Sequence, residues 1–360
     1  MNFTKSNKIS RLMKINIPLL GLLSLLGLLL FQSPAEATDM HPTDKRLQDS
    51  VTADSNITVV SYFCKRDTFI YCIGESFWKI KEKDTIRLSA LSTQVILTVT
   101  DSTPQGYNME YTFLDFQADT SATSLEGKLQ NQLVKAFGEK IIGTVIKFRI
   151  DEYGTILAYD NLNEIKKQSK NLFKMACKEM EKLPEIKAIK KHDFDVTKAI
   201  SQHIDAEALV AGYVEELELL FSIHGNQYTL GSRKEHQNAT EEEYESDTYY
   251  DIYADSETGE YGITIDLYEY IPKEDIKALT QEMVNTIGGK KWKKEANEAL
   301  NKGFEQQVKE DLTRNSYIHI KHFADGWPKE IITQESMLLM GQGKVKQTHI
   351  TWDYYSVRNY

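Results

Sequence analysis

Cysteine is scarce in this chain, with three in 360 residues. That is too few for a disulfide scaffold. Cys64 and Cys72 lie close enough in sequence to pair in an oxidising compartment. They can equally stay separate thiols, because residues so placed in a tight hairpin need not face each other. Cys177 falls one helical turn after Phe173 on an apolar helix face, where a buried, inert thiol is expected. Positive charge is also in short supply, at 43 Lys and Arg against 53 Asp and Glu. That balance argues against nucleic acid and anionic membrane surfaces as partners. The eight histidines are scattered. His319 and His322 are nearest, but their odd spacing puts them on opposite faces of a strand and away from a shared metal. His-Glu-x-x-His, Cys-x-x-Cys, Gly-x-Ser-x-Gly and a phosphate-cradling glycine loop are all missing. No catalytic residue, metal or cofactor is therefore expected, and among enzymes only a hydrolase with an unmarked triad would fit.

Long apolar runs are missing too, apart from one near the start. Lys5, Lys8, Arg11 and Lys14 form a basic region, residues 15–31 are uncharged and mostly apolar, and Ala35-Glu36-Ala37 fits the small-x-small pattern of signal peptidase. Residues 1–37 are read as a signal peptide with Thr38 as the mature N-terminus. This predicts export to the periplasm, the cell envelope or beyond. The alternative, an uncleaved anchor, conflicts with a run shorter than the ~20 residues that span a bilayer. Cleavage leaves no membrane span and a chain more acidic than before. Residues 38–56 are polar without apolar period and read as a flexible lead-in.

What the chain does contain is a repeat. Residues 101–116 begin DSTPQGY and residues 255–270 begin DSETGEY. Without a gap, Asp101 falls on Asp255, Ser102 on Ser256 and Tyr107 on Tyr261. Met109, Tyr111 and Phe113 then fall on Ile263, Ile265 and Leu267. Each copy is a polar turn followed by a strand of alternating apolar and polar residues. In each half a helix and a second hairpin follow, turning at residues 151–154 and at Asp325-Gly326. The predicted class is α+β: two related antiparallel β units, each hairpin–helix–hairpin, with connecting helices. Residues 57–160 form the first unit, 161–221 the connecting helices and 222–360 the second unit. Strands are expected over 57–63, 68–73, 85–91 and 95–100, and an acidic solvated loop over 234–247. Leu125, Leu129, Leu133 and Phe137 mark the helix of the first unit. Asn161 and Glu164 suggest a capping box on the next, a further helix runs from about residue 196, and a break is expected at Gly288-Gly289.

The signal peptide, the DSTPQGY turn and the run FRIDEYGTI at 148–156, followed by Asn161-Leu-Asn-Glu-Ile165, resemble a group of exported bacterial proteins of unknown function. The resemblance covers most of residues 57–180. The strand–hairpin–helix order is also similar to the curved half-barrel sheets of lipoprotein-carrier-like proteins. That architecture implies a convex sheet over helices and an apolar cavity for acyl chains. This chain is longer and doubled, which leaves open one cavity, two or none.

Met109, Tyr111, Phe113, Ile263, Ile265 and Leu267 are the candidate ligand-lining residues, against the alternative that they fill the core. Asp255, Glu257 and Glu260 around Gly259 offer oxygen ligands, but ordinary turn chemistry accounts for them without calcium. Tyr244, Tyr249, Tyr250, Tyr253, Tyr268 and Tyr270 form a candidate binding face for sugar or protein, or a sheet face half covered by the acidic loop. The first functional expectation is a non-enzymatic binding protein of the bacterial envelope with an apolar or amphiphilic ligand. The alternative is a protein-interaction or surface-assembly component, partnered by another envelope protein and holding no small molecule.

Overall fold

The computed structural model describes residues 56–81, 84–119, 125–191, 206–240, 243–287, 290–339 and 342–353. The expected signal peptide, nearly all of the lead-in, the start of the helix near residue 196 and the Gly288-Gly289 break lie outside these residues.

After β1 (Asn56–Thr58), a meander of β2 (Thr68–Lys81), β3 (Asp84–Thr103) and β4 (Gly106–Asp119) leads to α1 (Leu125–Ile141) and the hairpin of β5 (Val145–Ile150) and β6 (Ile156–Tyr159). The connecting helices are α2 (Leu162–Met180), α3 (Pro184–Lys190) and α4 (Ala206–Leu220). The second unit contains β7 (Gln227–Thr229), β8 (Gly231–Gln237), β9 (Glu245–Ala254) and β10 (Tyr261–Ile271), then α5 (Lys273–Ile287) and α6 (Lys290–Gln307). It ends with β11 (Leu312–His322), β12 (Pro328–Leu339) and β13 (Gln342–Trp352). The fold is α+β. One 11-stranded antiparallel sheet runs β6-β5-β4-β3-β2-β13-β12-β11-β10-β9-β8, and β1 pairs with β7 apart from it. The two units share that sheet, joined where Ile350 of β13 lies opposite Ile73 of β2.

The repeat holds at the level of register. In the first unit Tyr107, Met109 and Tyr111 oppose Ile150, Phe148 and Ile146. Their mates Tyr261, Ile263 and Ile265 oppose His322, Ile320 and Ile318. The turns match as well: Gly154 N–H donates to Asp151 O at 3.1 Å, and Gly326 N–H to Phe323 O at 3.0 Å. A register shift precedes the turn in both copies, at Arg149/Ile150 and at Lys321/His322. The longer interval of the second unit is taken up by α6, an added helix of 18 residues.

These two turns also reveal the curvature of the sheet. In a flat sheet, six strand spacings would hold them about 30 Å apart. Instead His224 touches both. Its Nε2 lies 2.9 Å from Gly326 O, and a Cβ on Gly154 would come within 2.5 Å of its ring. Residues 59–63 run between the turns, with Tyr62 N–H bonded to Asp325 O at 3.0 Å and Ser61 O accepting from Tyr107 Oη at 3.0 Å. The sheet therefore curls until this segment and residues 221–226 close one end. Trp327 fills that end, stacked on Phe63 at 4.0 Å and on Phe69 at 4.1 Å.

The concave side carries the core. Residues of α4 (Val214, Leu217 and Leu220) pack with Tyr111, Ile146, Ile263 and Ile350 in a single apolar cluster. α2 buries Ile165, Leu172, Phe173, Ala176 and Met180, the stripe expected of its apolar period. Its start is held differently from a capping box. Asn161 makes no cap bond; its Oδ1 accepts from Lys147 N and its Nδ2 donates to Val145 O, tying the helix to β5.

Several local expectations are corrected. Residues 85–100 form one long strand, because β3 is continuous through the polar stretch at Ser92 and Thr93. Residues 59–63 leave the ladder after β1 and become the strap between the turns. The acidic stretch 234–247 is largely the β8–β9 hairpin. β8 is the sheet edge, where charged side chains are tolerated and discourage further strand pairing. Cys64 and Cys72 are not bonded: both are free thiols. The Cys64 backbone is turned by Asp67, whose carboxylate accepts its N–H at 2.7 Å, whereas the Cys72 thiol points to Asp353 and Gln94.

Candidate functional site

Six strands at the centre and second half of the sheet present their concave-side residues in rows. Ile73, Ile350, Ile331, Ile320, Ile263 and Ile252 lie side by side from β2 to β9. One row further from the closed end come Glu75, Thr348, Thr333, Ile318, Ile265 and Tyr250. The next row is Phe77, Lys346, Glu335, Ser316, Leu267 and Thr248. After it come Lys344, Met337, Arg314, Glu269 and Ser246. Alternation along each strand forces this sorting, since residues two apart share a face. The concave face thus passes from isoleucine through threonine to charge within a few residues of strand.

Lys346 is the centre of the charged part. It is 8% exposed, and its Nζ lies 2.6 Å from Glu215 Oε1 of α4 and 3.2 Å from Glu75 Oε1 of β2. Burial acts to lower its ammonium, but Glu75, Glu215 and Glu216 outweigh that and hold it above the ordinary lysine range. Glu335 is its neighbour on β12, where burial, reinforced by Glu215, raises the carboxyl. Glu216 differs from these. Burial first, then Glu75 and Glu215, push its carboxyl well above the usual carboxylate range. Yet the residue is only half-buried. Further along, Arg314 pairs with Glu269 through both Nε and Nη2, each side chain mostly covered.

The helices leave this region partly uncovered among the described residues. α4 packs on α2 and reaches β12, while α5 and α6 pack on each other. Leu300, Phe304 and Val308 form a separate small cluster with Ile276 and with Leu339 at the end of β12. Between the two groups, Leu267, Glu269, Thr333, Glu335 and Met337 remain half-buried although they face the helices.

The candidate ligand residues fall into two sets. Met109, Tyr111, Phe113, Ile263 and Ile265 are all buried and belong to the same core cluster. Five strands lie between the β4 set and the β10 set, so they share the core without lying side by side. Leu267 stands beyond that cluster, half-buried in the row of Lys346 and Glu335. The Tyr111 ring meets Phe113 edge-on at 5.0 Å. Tyr111 is 0% exposed, and its hydroxyl has no hydrogen-bond partner among the described residues. Burial raises its phenol, and the charges of Glu216 and Glu75 raise it further.

Glu75, Glu215, Glu216, Glu335 and Lys346 were missed in the sequence. Parity was the available signal. Ile350 and Trp352 belong inside, so Lys344, Lys346 and Thr348 must share their face. The tyrosines do not form one face. Tyr250 is concave, opposite Ile265, while Tyr249 and Tyr268 meet edge-on at 6.0 Å among the polar residues of the convex side. The Asp255 carboxylate serves its own turn, accepting from Glu257 N at 2.8 Å. A convex-side groove of about 450 Å³ includes Lys321, Lys329, Glu260 and Glu330. Both of its lysines are spent in ion pairs, Lys329 with Glu260 at 2.7 Å and Lys321 with Glu330 at 3.3 Å. No helix among the described residues is long and apolar enough to cross a membrane.

No protein-family model matches the chain, and no curated protein sequence matches it. Among solved structures the chain is similar to lipovitellin, in a structure concerned with its lipid–protein interactions, at 9% identity and a TM-score of 0.31. The match covers 81% of this chain and 25% of that one, so the chain spans about a quarter of its length. At that TM-score the likeness carries no argument.

Proposed function

We propose that this chain is an exported, non-enzymatic binding protein that holds an amphiphilic ligand on the concave face of its sheet. The observation that carries the reading is the gradient across β9–β13. Isoleucines give way to threonines and then to Lys346, Glu335, Arg314 and Glu269 on one face, with the last rows only half covered by helices. Buried charge is costly, and ion pairs inside a core are commonly no more stable than apolar replacements. A face that keeps such charge beside an apolar strip suits a molecule with an apolar body and a polar end. In this reading the apolar part rests along Ile265 and Leu267, and the polar end reaches the row of Lys346. Lys5 to Lys14, the apolar run and Ala35-Glu36-Ala37 support export, with the cell envelope or periplasm as the place of action.

Purification of the chain from a bacterial envelope without detergent, followed by solvent extraction and mass spectrometry, tests this. Release of a stoichiometric amphiphile is expected. Neither an extracted molecule nor displacement of a fluorescent acyl-chain probe by added amphiphiles would be the result that overturns it.

A further inference from the structure

We propose that the convex-side groove binds an uncharged sugar, whose ring stacks on Tyr253 and whose hydroxyls meet the ion pairs beside it. This site lies on the other face of the sheet from the amphiphile site and does not depend on it. Its floor is one cross-strand row. Tyr253 of β9, Gly262 of β10, Lys321 of β11, Glu330 of β12 and Thr351 of β13 lie side by side in register. Each is the chain neighbour of a residue in the concave isoleucine row, so all five face outward. The groove lined by the four side chains of this row holds about 450 Å³, within the range of small-molecule sites.

Gly262 carries the stacking argument. Its φ is not positive, so the backbone does not demand glycine there. The demand is spatial: an added Cβ would lie 2.4 Å from Cε1 and Cζ of Tyr253 and 2.6 Å from its Oη. The outer end of the ring therefore rests across β10 on the bare glycine, while Tyr253 stays 41% exposed. Glycine weakens a strand interior, and where it is kept it marks a close approach. An aromatic ring held against the sheet, with open surface towards a groove, is a platform for the apolar C–H face of a pyranose.

The polar walls select against charge. Glu260 accepts from Lys329 through both carboxylate oxygens, at 2.7 Å and 2.8 Å. Glu330 accepts from Lys321 at 3.3 Å and lies 3.0 Å from Nε2 of His349. Asp255 accepts from Glu257 N and Thr258 N at 2.8 Å and 3.4 Å, within its own turn. Every charged side chain that lines the groove thus has a partner already, and none is left over to seat an ion. An ammonium brings three N–H groups and a carboxylate about four acceptor positions, so the pairs keep donors and acceptors to spare. Donors and acceptors fixed side by side suit hydroxyl groups, which do both.

Saturation-transfer NMR on the full chain tests this with four probes: cellobiose and N,N′-diacetylchitobiose, which are uncharged, tetramethylammonium and glucuronate. At least one of the two disaccharides is expected to bind, with saturation strongest at the axial hydrogens of one ring face. Tyr253→Ala should weaken that binding about fivefold or more, and Tyr253→Phe should keep it. Gly262→Ala pushes only on the movable end of the tyrosine ring, so the chain should fold, with a urea midpoint near the parent's, and bind sugar as poorly as Tyr253→Ala. No binding of either disaccharide, sugar binding that survives Tyr253→Ala, or tighter binding of tetramethylammonium or glucuronate overturns the proposal. Displacement of a fluorescent acyl-chain probe should be the same in Tyr253→Ala as in the parent, which keeps failure here distinct from failure of the amphiphile reading.

Discussion

Gly154 and Gly326 turn equivalent hairpins in the two units at φ of 90° and 88°, and both close on the strap at residues 59–63. A Cβ on Gly154 would lie 2.2 Å from Ser61 Oγ, and one on Gly326 2.0 Å from Val60 O. Side chains are costly at such φ, and here the space is taken as well. Gly326→Ala should lose at least about 3 kcal/mol in urea unfolding, since a backbone carbonyl cannot move aside. Gly154→Ala should lose less, because Ser61 can rotate. Gly143 is the control: its φ is 79° and nothing lies within 4 Å of its added Cβ. Gly143→Ala should cost only about 1 kcal/mol. Equal losses at all three would mean that the strap does not lock the two turns.

Much of the repeat was readable because its signals are local. Alternation in Met109, Tyr111 and Phe113 and in Ile263, Ile265 and Leu267 marks one face, and Gly154 and Gly326 mark turns. The charged rows were hidden by convention. Lysine and glutamate are read as outward, so Lys344 and Lys346 masked the parity set by Ile350. β8 was read as loop because an edge strand needs no apolar face. The ion-pair cluster of Glu75, Glu215 and Lys346 was not readable at all. It joins β2 and β13 to α4, whose approach to the sheet follows from tertiary packing and not from any spacing in the chain.

His224 and His322 pack edge to face at 5.2 Å, and His322 also stacks on Tyr261 at 5.2 Å. Neither ring nitrogen of His322 has a hydrogen-bond partner among the described residues. Burial lowers His224 to about 4, and burial, then the charge of His224, lowers His322 well below its usual value. Below the unfolded value of 6.5 the unfolded chain binds protons that the folded chain refuses. Stability is therefore complete above that pH and falls as the medium acidifies towards about 4. For His224 the loss over that window is about 3 kcal/mol. His322→Ile installs the kind of residue found at the equivalent Ile150. Urea midpoints at several pH values should show a shallower acid loss in this variant, and an unchanged slope would remove His322 from the account.

The three cysteines should remain thiols under mild oxidation. Cys64 is exposed, while burial, with Asp353 and Glu181 respectively adding to it, raises the Cys72 and Cys177 thiols. Reaction with a thiol reagent in the native state should be fast at Cys64 and slow at the other two, because the thiolate is the reactive form. Denaturation without reductant should expose all three. Only one thiol under those conditions would mean that Cys64 and Cys72 can reach each other, which requires the start of β2 to leave the sheet.

Glu216→Gln tests the desolvated carboxyl through stability. Above 4.5 the carboxyl ionises in the unfolded chain, while burial and the carboxylates of Glu75 and Glu215 keep it protonated in the folded one. The folded state then binds more protons, so this residue costs stability that increases with pH through its raised folded value. Glutamine has nearly the same shape and cannot ionise. The variant should unfold at higher urea than the parent at neutral pH, and the difference should shrink as pH falls towards the unfolded carboxylate value. A variant less stable than the parent at every pH would mean that Glu216 is ionised and held by the charge of Lys346 in the folded chain.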